Sequence, residues 1–133
     1  MSIRVLVVDD FGPFRRYLVG VLSEQPGFQI VGEVADGLTA VQKANELKPD
    51  LILLDIGLPS MNGIEAARHI RNVSPESKIL FVTEQSLSAI VREALSTGAH
   101  GYLVKSHAAN ELLPALKAVL SGAVFISACI SFL

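Results

Sequence analysis

The chain has 133 residues, half of them hydrophobic and only 18% charged, which suits one globular domain with a single core rather than a disordered segment. A formal net charge of −2 argues against gripping nucleic acid by its phosphates. Cys129 has no partner for an internal disulfide, no apolar run is long enough for a bilayer, and Arg4 with the early aspartates breaks any signal-sequence pattern. The expected setting is the cytoplasm, without a membrane contact.

The first predicted strand is Ile3–Val8, "IRVLVV", and Asp9 and Asp10 follow it directly. Adjacent carboxylates repel, by about 1 kcal/mol at 4 Å even in water. They are either solvated or matched by something positive. Phe14, Tyr17, Leu18, Val21 and Leu22 then recur at helical spacing, and Pro13 suits the first turn of that helix. A second strand is predicted over Phe28–Val34, and a second helix through Val41, Ala44 and Leu47, stopped by Lys48-Pro49.

The third strand, Leu51–Leu54, is four consecutive aliphatics that end in Asp55. A loop with Gly57, Pro59 and Gly63 leads from it to a helix marked by Ile64, Ala67 and Ile70. Lys78–Val82 is the fourth strand, with Thr83 after it; Leu87, Ile90, Val91 and Ala94 mark the fourth helix, ended by Gly98. Gly101–Val104 is the fifth strand, followed by Lys105. Leu112, Leu116, Val119 and Leu120 mark the last helix, closed by Gly122. Pro114 fits that helix only near its start.

Strict β-α alternation with nearly continuous aliphatic strands predicts an α/β fold, a parallel sheet with helices on both faces. Such sheets bind ligands at the carboxyl ends of their strands. Four of the five strands carry chemistry there: Asp9 and Asp10, Asp55, Thr83, and Lys105. Singly, each has an ordinary explanation as a solvated turn, a helix cap or a surface charge. Together on one rim they make three carboxylates, a hydroxyl and an ammonium. Crowded carboxylates call for a divalent cation, and an all-oxygen set suits Mg2+. A carboxylate is also a nucleophile able to form an aspartyl-phosphate. The cation and ammonium would neutralise phosphoryl oxygens, and the hydroxyl would donate to another. His69, His100 and His107 do not fall at strand ends, so a phosphoryl group would be held rather than quickly removed.

With "VLVVDD", "DLILLDIGLPSMNGIEAARHIR", "ILFVTE" and "EALSTGAHGYLVKS" in place, the chain resembles bacterial two-component receiver domains. "DIGLPSMNGIEA", "ALSTGAHGYLVK" and "AVLSGAVFIS" are most similar to the NarL/FixJ (LuxR-type) branch. The resemblance runs from Ser2 to Ser127 and implies a doubly wound (βα)5, flavodoxin-like fold, with a five-stranded sheet in the order 2-1-3-4-5. It implies a receiver over residues 1–121, with 122–133 as a tail beginning a linker to an effector domain.

By resemblance, Asp55 is the phosphoacceptor and Lys105 binds the phosphate. Asp10 is a direct ligand of Mg2+ and Asp9 acts through water, with the carbonyl of Gly57 completing the site. Thr83 is the switch hydroxyl. Tyr102 is the switch aromatic by resemblance and equally an ordinary half-exposed strand residue by its own chemistry; movement of Thr83 would vacate space beside the fifth strand for its ring to turn into. The implied partners are a sensor histidine kinase and, on phosphorylation, a second receiver paired through the fourth helix, fifth strand and fifth helix. No nucleic-acid contact and no enzyme activity beyond self-phosphorylation and slow hydrolysis are implied.

Two features depart from the family pattern. Ser106 follows Lys105 where many receivers place a cis proline, which leaves the isomer of that bond open. The chain stops at "ACISFL" without a helix-turn-helix, the expectation being a truncated or stand-alone receiver. A phosphohydrolase with an aspartate nucleophile is a rival reading, but it wants a carboxylate where Gly57 stands. A flavin-binding flavodoxin wants a hydroxyl-rich phosphate loop where "DDFGP" stands. A receiver used only for docking is disfavoured because every site residue is present.

Overall fold

The strands alternate their side chains between two faces, so each strand feeds two cores. In the computed structural model, which describes residues 2–132, the elements run in strict alternation. They are β1 (Ile3–Val8), α1 (Gly12–Ser23), β2 (Phe28–Val34), α2 (Gly37–Leu47), β3 (Leu51–Leu54) and α3 (Gly63–Val73). Then come β4 (Lys78–Thr83), α4 (Ser88–Leu95), β5 (Gly101–Val104), a 3-10 turn (Lys105–His107), α5 (Ala108–Leu120) and β6 (Phe125–Ile126). Leu6, Val8, Ile52, Leu54, Phe81 and Tyr102 point to one face, where α2, α3 and α4 cover them through Ala40, Ala44, Ala67, Ile70 and Val91. Val5, Val7, Leu51, Leu53, Val82 and Leu103 point to the other, under Leu18 and Leu22 of α1 and Leu112, Leu116 and Val119 of α5. Fully burying each such aliphatic stabilises the fold by about 1.5–3 kcal/mol.

All strands pair in parallel, in the order β2-β1-β3-β4-β5-β6. The expected order 2-1-3-4-5 is present, and a sixth strand extends it. Phe125 pairs with Gly101 and Ile126 with Tyr102, a run too short to show any period in sequence. Ser127 finishes the edge: its N–H donates to the Tyr102 carbonyl at 2.9 Å, and its Oγ accepts from the Val104 N–H at 2.9 Å. The same hydroxyl donates to Glu111 of α5 at 2.6 Å.

Helix ends follow local chemistry. Asp36 and Asn62 cap α2 and α3 by accepting from Thr39 and Glu65 backbone N–H groups. Lys48 closes α2 in the left-handed region, φ 46°, just before Pro49. Pro114 lies in mid-helix rather than near the start of α5. The carbonyl that loses its donor belongs to Asn110, an exposed residue, so solvent can satisfy it. No described peptide bond is cis, which makes Lys105–Ser106 trans. No helix among the described residues is long and apolar enough to cross a membrane.

Candidate functional site

The backbone ladder carries both central aspartates to the rim. The Asp9 N–H donates to the Val34 carbonyl and the Asp55 N–H to the Val8 carbonyl, each at 3.0 Å. Asp9 Oδ1 accepts from the Phe11 N–H at 2.9 Å, a two-residue side-chain turn rather than a helix cap. Asp55 Oδ1 accepts from the Ile56 N–H at 2.8 Å. The other oxygen of each faces one ammonium. Lys105 Nζ lies 2.8 Å from Asp9 Oδ2 and 3.1 Å from Asp55 Oδ2, with all three side chains at least nine-tenths buried. The contact to Asp9 is an ion pair out of line for a hydrogen bond, so Oδ2 is buried with no aligned donor.

Burial raises the Asp9 pKa above its ordinary value, and the charge of Asp55 adds to this against the opposing pull of Lys105. Burial works to lower the Lys105 pKa, but its close contact with Asp9 and the charges of both carboxylates outweigh that and raise it. The ammonium therefore stays charged.

Asp10 is exposed, and one oxygen each of Asp9, Asp10 and Asp55 lie within 4.8 Å of one another. Three carboxylates, two of them sharing one ammonium, make an all-oxygen set that fits a hard divalent cation, so this trio could hold a metal ion. A cavity of about 240 Å³ opens over it, lined by Asp10, Asp55, Gly57, Thr83 and Lys105 together with Phe11, Glu84 and Gln85. The sequence-predicted residues thus converge, except that Asp9 sits beneath the cavity floor and Tyr102 behind it.

Thr83 is buried at the end of β4, where its Oγ1 accepts from the Gln85 N–H at 3.4 Å. The Tyr102 hydroxyl donates to the carbonyl of the same Gln85 at 2.8 Å. The ring is fully buried, 6.1 Å from that of Phe81. The ring thus lies inside rather than half-exposed, with the Gln85 carbonyl satisfying its hydroxyl there. Burial, with help from the Asp55 charge, pushes its phenol up to about 12.

Sequence reasoning missed the part played by four residues. Gln85 ties Thr83 to Tyr102 through its backbone, which no side-chain pattern reveals. Phe14, read as part of the stripe of α1, places its ring 4.7 Å from Lys105 Nζ. Gly63 packs where a Cβ would lie 1.9 Å from the Asp55 carbonyl oxygen, and Gly37 where one would lie 1.8 Å from that of Met61. The start of α3 is thus pressed against the chain just after β3, and Met61 of the loop against the start of α2. Close backbone approach is a standard use of glycine, but its place is invisible until the chain is folded.

Comparison with known proteins agrees with this geometry. The family model described as the response regulator receiver domain matches residues 5–117. The chain is 36% identical over 125 residues to the transcriptional regulatory protein DegU of Brevibacillus brevis, covering 94% of this chain and 53% of that protein. It is 37% identical to the chemotaxis protein CheY of Thermotoga maritima, covering 90% of this chain and 98% of that one. Among solved structures, a LuxR-family two-component response regulator from Aurantimonas sp. superposes with a TM-score of 0.92 at 35% identity, covering 98% of this chain and 93% of that one. The receiver domain of a Mycobacterium tuberculosis response regulator, NarL, gives 0.85 at 33% identity, covering 91% and 98%. The chain spans about half the length of curated relatives such as DegU.

Proposed function

We infer the function from one premise: this chain belongs to the response regulator receiver domain family, the signalling domain of two-component systems. Asp55 accepts a phosphoryl group, and the observation that carries this is Lys105 bridging Asp55 and Asp9 at the floor of a solvent-open cavity. A carboxylate oxygen of Asp55 forms the bond to phosphorus while the donor's own bond to phosphorus breaks, and the donor's leaving group departs through the open side. Lys105 holds charge beside the incoming oxygens. Thr83, at the cavity wall, donates its hydroxyl to one of them.

Asp9, Asp10, Asp55 and the carbonyl of Gly57 are the groups that would hold Mg2+. When bound, it supplies neutralisation of the phosphoryl oxygens. Among the described residues no histidine lines the cavity, which supports slow loss of the phosphate and a signalling rather than a hydrolytic role. The donor is a sensor histidine kinase in the cytoplasm. Residues 1–121 form the receiver, β6 completes its sheet, and the residues beyond β6 lead towards an output module. When Thr83 turns to the phosphoryl group, Gln85 loses its hydroxyl acceptor, and the change passes to Tyr102 and the surface of α4, β5 and α5. That surface pairs the phosphorylated chain with a second receiver. This chain itself makes no nucleic-acid contact.

The test is intact mass after incubation with acetyl phosphate and Mg2+. One phosphate is expected on the wild type and none on Asp55→Asn. A mass shift that survives Asp55→Asn refutes the assignment.

A further inference from the structure

We propose that the ring of Phe14 is a positioning element for the Lys105 ammonium, fixing it beside the phosphoacceptor; this rests on the reading of Asp55 given above. An ammonium has three donors on a flexible four-carbon stem. Two of its neighbours are the carboxylates of Asp9 and Asp55, at 2.8 and 3.1 Å. Both change during transfer: Asp55 becomes an acyl phosphate, a mixed anhydride, and Asp9 belongs to the proposed metal site. A third partner independent of both is the π face of Phe14, 4.7 Å from Nζ to the ring centroid.

The ring can serve as a fixed platform because α1 holds it. Phe14 packs at the border of the core beneath α1 and α5, and its centroid is 5.5 Å from that of Tyr17. A cation near a ring face is attracted to the negative charge concentrated there, most strongly where water is scarce. Lys105 is 10% exposed, so the contact is largely desolvated. An aliphatic residue at position 14 would fill the same space without that face. As the phosphoryl oxygens arrive, the ring keeps the ammonium from following either carboxylate away.

Replacing Phe14 with mono-, tri- and pentafluorophenylalanine removes the negative face stepwise while keeping the shape, and Phe14→Leu removes the ring. The ε-methylene protons of Lys105 should resonate upfield in the wild type through the ring current, and lose that shift in Phe14→Leu. The rate of Asp55 phosphorylation by acetyl phosphate at saturating Mg2+ should fall with each fluorine step, roughly three- to tenfold over the series. Melting temperature and Mg2+ affinity should hold across it, which a purely structural ring would not predict. A flat rate across the series, a rate that merely tracks melting temperature, or an unshifted Lys105 methylene overturns the proposal. Phosphate that remains on Asp55→Asn overturns the acceptor reading instead, and the Phe14 role with it, so the two failures are told apart by which variant misbehaves.

Discussion

Asp9 is buried to 1% exposure with one oxygen unaligned to any donor. Its carboxyl is held above the ordinary value first by burial, so the folded chain favours the protonated form. The stability that follows is fully present below the unfolded value of 3.8, and is lost as pH rises through the folded value. At neutral pH the ionised group therefore works against folding when no cation is bound. Metal-free Asp9→Asn is expected to be more stable than the wild type at pH 7, with the gain shrinking as both are acidified towards pH 4. Urea denaturation of the two at several pH values in EDTA checks this, and a gain that grows on acidification refutes it. The same burial explains why Asp9 was legible only in part. Two adjacent aspartates after a strand announce a site, but not that one lies under the floor and the other faces solvent.

At the scale of elements, strands were legible because both cores demand aliphatic side chains, and α2 and α3 because their buried faces recur at helical spacing. β6 was not, since two residues carry no period and its pairing depends on Ser127 and Glu111 from outside the strand. The loop between β3 and α3 was legible as a loop, while the close approach of its two ends was not. Gly63 has Asp55 backbone atoms where a Cβ would be, and backbone cannot swing aside as a side chain can. Gly63→Ala should therefore cost about 3 kcal/mol or more, at the upper end of overpacking effects. It should also slow phosphorylation by displacing Asp55. Chemical denaturation tests the first part, and a cost below about 1 kcal/mol would show that the loop yields freely. α4 offers the contrast: it has eight residues and no side-chain cap, and it follows the Gln85 link.

For the whole molecule, a cation that binds only the folded chain raises its stability by mass action. Mg2+ at a hundred times its dissociation constant should add about 2.7 kcal/mol. Asp10→Ala should lose most of that increment while keeping its fold, since Asp10 is exposed. Melting curves across a Mg2+ series check it, and equal increments in both chains would remove Asp10 from the site. The sixth strand has a different consequence. With β6 and Ser127 occupying the outer groups of β5, the sheet keeps one long unpaired margin, the seven residues of β2. Growth of a fibre by strand addition needs two open margins on every molecule, one to receive and one to offer. The opposite margin is the two residues of β6, so a partner strand that adds there finds far less backbone than one that adds to β2, and association by strand addition favours β2.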